Sequence, residues 1–279
     1  MNKHIGGQAV IEGVMMKGPR DIAISVRKKG KIITKKTRYK SVAEKFKILK
    51  LPILRGIVNL FEMMIIGIKA LTWSADQQVG ADEKITKKEL AVTMFISFGA
   101  VILLFVVVPY YVTKIFVKEP NLVFNLIDGG LRIIIFFIYL YAIGLMKDMN
   151  MVFQYHGAEH KAVNCFEADA KLTPANAKKY PKEHIRCGTS LLVIVIVISI
   201  LLFSLIKDPR WFVNIPLRIL LVPVIGGIGY EAVKLAARFE KNPLVKIVTL
   251  PGLWTQKFTT REPSEKQLEV AIKALNAVK

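Results

Sequence analysis

The sequence predicts a mainly α-helical integral membrane protein, with about four transmembrane helices, a small N-terminal β-hairpin element and cytoplasmic amphipathic helices. Three observations predict it. Of the 279 residues, 53% are hydrophobic, and the mean hydropathy of +0.40 is too apolar for an ordinary soluble domain. The apolar residues are gathered into four long runs, near residues 91–117, 131–146, 190–206 and 211–235. The 41 Lys and Arg outnumber the 21 Asp and Glu, and they lie mainly outside those runs, where cytoplasmic loops and anionic headgroups account for them. The net charge of +20 therefore points to the lipid bilayer as partner, and not to nucleic acid. Two cysteines, Cys165 and Cys187, form no disulfide framework; facing a reducing cytoplasm, they are free thiols or metal ligands.

Residues 1–50 carry fourteen Lys or Arg and open without the apolar stretch or small-residue cleavage site of a signal peptide. Alternating runs at 21–26 and 31–37 flank Arg27-Lys28-Lys29-Gly30, the spacing of a hairpin with glycine in its turn. Upstream, four glycines with the lone carboxylate of Glu12 suit tight turns or a close approach to a ligand. Residues 51–75 place Arg55, Asn59, Glu62 and Lys69 at helical spacings among Leu, Ile, Met and Phe, which reads as an amphipathic interfacial helix.

The first transmembrane pair occupies residues 91–146. Its first helix tolerates Pro109 as a kink; its second is expected to begin near Arg132, because extension back through residues 122–127 would bury Asp128. Residues 147–189 form a His/Cys loop, and 190–235 form the second pair, with Trp211 at an interface. In the tail, residues 236–279, Ser264 and Gln267 make a capping box ahead of an amphipathic helix with Leu268, Ile272 and Leu275 on one face. The gap 118–130 holds one Lys and 207–210 two basic residues, against seven in 147–189 and nineteen in the first ninety residues. The N-terminus, the His/Cys loop and the C-terminus are thus expected in the cytoplasm of a multi-pass cell-membrane protein.

Five of the six His and Cys residues fall within 147–189: His156, His160, Cys165, His184 and Cys187. On a helix, His156 and His160 share a face and could grip one metal ion, with Glu159 beside them to activate water as general base. The order H-x-x-E-H is that of the inverzincin metallopeptidases and requires a third ligand. Candidates are Glu167, His184, Cys187, Cys165 and, more distantly, Glu231. Zinc suits three His or Cys ligands best, whereas a His/carboxylate set leaves manganese or iron open. Cys165 reads more simply as a small buried hydrophobe. Arg132, Arg218 and Glu231 each require a partner, a cavity or an interface; for Glu231 a structural ion pair and a role at the metal remain alternatives. Gly226, Gly227 and Gly229 permit close helix packing or a break.

The run Gly6-Gly7-Gln8-Ala9-Val10-Ile11-Glu12-Gly13-Val14-Met15-Met16, the Tyr155-His156-Gly157-Ala158-Glu159-His160-Lys161 segment, Arg186-Cys187-Gly188-Thr189-Ser190, and the tail from Pro251-Gly252-Leu253-Trp254-Thr255-Gln256-Lys257 to Thr260-Arg261-Glu262-Pro263 occur together in one chain. In these motifs it resembles the YqhQ-type family of bacterial membrane proteins along essentially its whole length. The resemblance implies a multi-pass inner-membrane protein, of a kind described as predicted metal-dependent enzymes, and it lends no substrate. The expected activity is that of a metal-dependent hydrolase whose cytoplasm-facing site acts on a membrane-associated substrate. Gln8 and Glu12 are candidate orienting groups there. The alternative is a non-catalytic docking or regulatory protein that binds other membrane proteins, and a transporter stands third.

Overall fold

The computed structural model describes residues 5–80, 85–239 and 242–279. Its N-terminal part is a four-stranded antiparallel meander of β1 (Gly6–Val10), β2 (Gly13–Lys17), β3 (Asp21–Lys28) and β4 (Lys31–Arg38). The expected hairpin is β3–β4, closed between Lys28 and Lys31 by Lys29 and Gly30 at φ of 47° and 82°, the sign that a two-residue primed turn demands. The glycine-rich run is a second hairpin, β1–β2, turning at Ile11 and Glu12.

Both faces of the sheet are covered, as the alternation along β2 and β3 requires. Met15, Ile22, Ile24 and Val26 pack on Met63, Ile66, Ala70 and Trp73 of α1 (Leu54–Gln78). On the opposite face, Val14, Met16 and Ala23 meet Leu268, Ala271, Ile272 and Leu275 of α10 (Glu265–Val278), together with Tyr155, Ala158 and Ala162 of α5 (Lys147–Glu167). The amphipathic stripe foreseen near residues 51–75 thus covers a sheet. The foreseen capping box of α10 is present, with Ser264 and Gln267 bonded reciprocally.

The remaining helices are apolar. α2 (Lys87–Ile102) and α3 (Val108–Phe116) join through five residues wound as a π-helix, Leu103–Val107, just ahead of Pro109, so that the proline is absorbed by a local change of winding. α4 (Leu122–Gly144) starts earlier than the sequence suggested, ten residues before Arg132. Asn121 caps it by accepting from the Phe124 amide at 2.9 Å. Asp128 is indeed buried, and it is tolerated because Arg218 Nη1 and Arg132 Nη2 lie 2.7 and 2.9 Å from its Oδ2.

α7 (Gly188–Phe203) and α8 (Trp211–Arg238) complete the bundle. Among the described residues, three of the four expected spans are long and apolar enough to cross a membrane by length and composition, Lys87–Phe116, Leu122–Gly144 and Trp211–Arg238. α7 is apolar throughout but has 16 residues, about 24 Å of helix against a hydrocarbon layer of about 30 Å. Three further helices occupy the segments read as a His/Cys loop and a tail. The His/Cys segment is mostly α5, followed by the short α6 (Pro174–Ala177), and the tail contains α9 (Pro243–Thr259) ahead of α10. The glycines of α8 serve close packing, as Gly227 meets Ile53 and Ile57 at the start of α1.

Candidate metal centre

His156 and His160 stand one turn apart on α5, with ring centroids 4.4 Å from each other. A backbone carbonyl fixes each ring. His156 Nδ1 donates to Thr259 O at 2.8 Å, and His160 Nδ1 donates to Lys182 O at 2.6 Å. A carbonyl can only accept, so both protons reside on Nδ1 and both Nε2 atoms present lone pairs. Cys187 Sγ lies 3.3 Å from His156 Nε2, and ligand atoms from His156, His160 and Cys187 all lie within 4.8 Å of one another. Tetrahedral zinc with bonds of about 2.0–2.3 Å puts its ligands about 3.5 Å apart, so the donor set fits such an ion after small adjustments. The carbonyls are the orienting partners that metal-binding histidines ordinarily have. Burial pushes the His160 imidazole pKa down, against the opposing effect of Cys187, which favours the neutral form a metal needs.

The local sequence explains the convergence. A Cβ on Gly157 would fall 2.2 Å from Arg261 O. Its absence lets the chain after α9 run against α5, where Arg261 N donates to Phe153 O at 2.9 Å and Thr259 O reaches His156. Cys187 arrives as the N-cap of α7. The segment before it is held by Gln256: Oε1 accepts from His184 N, and Nε2 donates to His184 O and Ser190 Oγ, each at 2.8 Å. Lys161 Nζ donates to Lys178 O and Tyr180 O, and Asn164 Nδ2 to Pro181 O, all at 2.9 Å. These orienting residues were missed from sequence, although Lys161, Gln256 and Thr259 sit in or beside the motifs already singled out.

Glu159 is buried next to the group, its Oε2 3.4 Å from His160 Nε2. Burial pushes its carboxyl pKa up, while His156, His184 and the Gly7 amide, which donates to it, pull the other way. Gly7 fits because a Cβ there would meet Met15 O at 2.2 Å and Glu159 Cγ at 3.2 Å. Gln8 and Glu12, the expected orienting groups, point elsewhere. Gln8 packs on Gly67 of α1, and Glu12 accepts from the Tyr155 hydroxyl at 3.2 Å. The N-terminal run reaches the site through backbone.

The other candidate ligands lie outside the group. His184 accepts from the Arg186 amide at Nδ1 and donates from Nε2 to Glu167 Oε2 at 3.2 Å, its ring 5.7 Å from that of His160. Glu167 also takes the Arg186 guanidinium. Glu231 is gripped by Arg55 through Nε, at 2.6 Å, and Nη2. Of the two readings left open for it, the structure displays the ion pair. Cys165 is buried in the core with Sγ 3.8 Å from Lys171 O.

The chain belongs to the family described as a protein of unknown function, DUF1385, whose model matches residues 51–279. It is 33% identical over 300 aligned residues to the uncharacterized protein YqhQ of Bacillus subtilis (strain 168), a match spanning 99% of this chain and 94% of that protein. No solved structure matches. The motif resemblance to a YqhQ-type family is thereby borne out.

Proposed function

We propose that the protein is a multi-pass cell-membrane protein with cytoplasmic termini and a metal-dependent, hydrolase-like site at the cytoplasmic surface, acting on a membrane-associated substrate. A parity argument supports the topology. The sheet, α5 and α10 share one core, so the chain crosses the bilayer an even number of times between β4 and α5, and again between α5 and α10. α2–α3 with α4 supply the first pair. α8 then requires α7 as its partner, the short helix being extended by the residues up to Ile206 or accommodated by local thinning. The linkers after α3 and α7 are poor in basic residues and the sheet-bearing side is rich in them, which supports a cytoplasmic position for the latter.

The observation that carries the chemical reading is the convergence of two pre-oriented Nε2 lone pairs on one thiol beside a buried carboxylate. His156, His160 and Cys187 would hold the ion, with zinc best suited to this donor set and manganese or iron less so. A bound zinc ion supplies Lewis acidity and lowers the pKa of water. Glu159 would take a proton from attacking water and return it to the leaving group. The site begins where α7 leaves the cytoplasmic core, which suits a lipid, a lipid-linked intermediate or a membrane-protein segment as substrate.

Metal analysis by mass spectrometry tests this reading on protein purified in detergent without a metal-affinity step. Near-stoichiometric zinc is expected in wild type and Glu159→Gln, and none in the His156→Ala, His160→Ala double variant. Folded wild type without metal would overturn it. A non-catalytic docking or regulatory protein is the second reading, favoured by the row of exposed apolar residues on α9, Leu244, Ile247, Val248, Leu250 and Trp254. Zinc that survives with no turnover of any lipid or peptide substrate would favour it.

A further inference from the structure

Just ahead of α1 the chain displays large apolar side chains that the protein core does not use. Two 3-10 turns occupy this stretch, Val42–Glu44 and Lys47–Lys50, and no residue in either is buried. Phe46, Ile48 and Leu51 are 57%, 63% and 52% exposed. Lys45, Lys47 and Lys50 stand among them, also exposed. Both ends of the stretch are fixed. At its start, Glu62 of α1 accepts from the Val42 amide at 2.6 Å, from the Ser41 hydroxyl at 2.9 Å and from the Tyr39 hydroxyl. At its end, Ile53 takes a φ of 68° while Leu54 N donates to Pro52 O at 2.8 Å, a γ-turn that a β-branched residue rarely adopts. That turn is pinned on α8. A Cβ on Gly227 would come 2.7 Å from Ile53 O, and one turn further along α8 Arg55 grips Glu231.

On the membrane-spanning reading proposed above, on which this inference rests, the pin sets the depth of the stretch. A hydrocarbon layer of about 30 Å takes about 20 helical residues, and α8 has 28. Counted from Trp211 at the far interface, the hydrocarbon ends near Glu231. Ile53 and Arg55, packed on Gly227 and Glu231, therefore lie where acyl chains give way to headgroups. The stretch before them emerges at headgroup level, and the exposed side chains of Leu54, Phe61 and Ile65 continue its apolar surface along α1. Residues 38–50 carry five basic residues against one acid, Glu44. A leaflet of mobile anionic headgroups matches this mixture of ammonium groups and apolar side chains without a fixed set of acceptors, which favours it over a protein partner.

We propose that residues 45–51 are a lipid anchor. Phe46, Ile48 and Leu51 enter the cytoplasmic leaflet, and Lys45, Lys47 and Lys50 bind the phosphates of anionic phospholipids. Because α1 packs on one face of the sheet and α5 on the other, the anchor holds the whole sheet-bearing core against the membrane surface.

Hydrogen–deuterium exchange mass spectrometry on the full chain in lipid nanodiscs tests the proposal, with discs of phosphatidylcholine alone compared with discs that also contain phosphatidylglycerol. Each lysine near an anionic surface is worth about fivefold, so the amides of residues 45–51 are expected to exchange at least about tenfold more slowly in the phosphatidylglycerol discs. The triple variant Lys45→Gln, Lys47→Gln, Lys50→Gln should lose that difference. The double variant Phe46→Ser, Ile48→Ser should exchange fast in both discs. All five side chains are exposed, so both variants should fold. Equal exchange of wild type in the two discs would overturn the proposal, as would a difference that survives in the triple variant. Fast exchange in both discs would leave the surface to a protein partner and overturn the anchor alone. A chain that does not co-elute with the discs would bring down the membrane-spanning reading with it.

Discussion

The two ends of α7 solve opposite problems. At its N-terminus, Cys187 joins His156 and His160 in a group whose members are positioned by backbone carbonyls and by the absence of a Cβ on Gly157. Near its C-terminus, Ser199 and Phe203 belong to a group whose members are positioned by one another's charges, Asp128 lying between two arginines. Backbone is costly to move and indifferent to the loss of a ligand, so the first arrangement keeps its lone pairs in place with or without an occupant. Charges buried together are placed by mutual attraction, so removing one disturbs all the others. The first site should therefore fail by losing its ligand, and the second by losing its fold.

The largest effect expected on this comparison is at Arg218. Arg218→Met leaves Asp128 facing Arg132 alone and strips Asn125 and Asn214 of their common partner. Breaking a buried pair from one side costs about 3–5 kcal/mol, which would show as loss of the monodisperse peak in size-exclusion chromatography or a steep fall in Tm. A fall of only a degree or two would mean that charge does not hold this end together. Gly157→Ala comes next. The new methyl would meet a backbone oxygen, Arg261 O, with no flexible side chain to yield. Overpacking of this kind costs about 1–3 kcal/mol, and separating α5 from residues 259–261 should remove the His156 Nδ1 partner. On the zinc reading proposed above, occupancy is therefore expected to fall at least about tenfold while the protein still folds, read by mass spectrometry on the purified variant.

The two sites also differ in how far the sequence disclosed them. His156, Glu159 and His160 were legible because helical spacing carries the information within one turn, and Cys187 because soft ligands are scarce in this chain. Thr259 and Lys182 were not, because a carbonyl that accepts a proton can belong to any residue type. The charge cluster was misread. Asp128 was taken as a limit to α4, since an isolated carboxylate in an apolar helix is costly, and its partner Arg218 lies ninety residues further on. Local rules placed the β3–β4 turn, the α10 capping box and the apolar runs. They missed α9, whose Pro251 and mixed polarity resemble a loop until Gly252 and Gln256 are seen packed on Ser190.

Gln256 sharpens the comparison at the metal end, because it is the side chain that stands between backbone and ligand there. Gln256→Leu keeps the volume but leaves His184 N, His184 O and Ser190 Oγ unpartnered in a buried setting. A cost of about 1–3 kcal/mol is expected, with weaker zinc retention against a chelator titration as Cys187 loses its fixed position. Equal retention would show that the helix cap, without the Gln256 contacts, sets the thiol.

The smallest effect is the most diagnostic. Thr259 gives His156 its main-chain oxygen, while its own hydroxyl is buried with no hydrogen-bond partner among the described residues. Thr259→Val removes that hydroxyl and retains the carbonyl. Since an unpartnered buried hydroxyl contributes only a desolvation cost, the variant should be as stable as wild type or more stable by up to about 1 kcal/mol. Its zinc content should be unchanged by mass spectrometry. If Thr259→Val lost zinc, the hydroxyl would have to act at the site, and the contrast between a backbone-built and a charge-built end of the same helix would break.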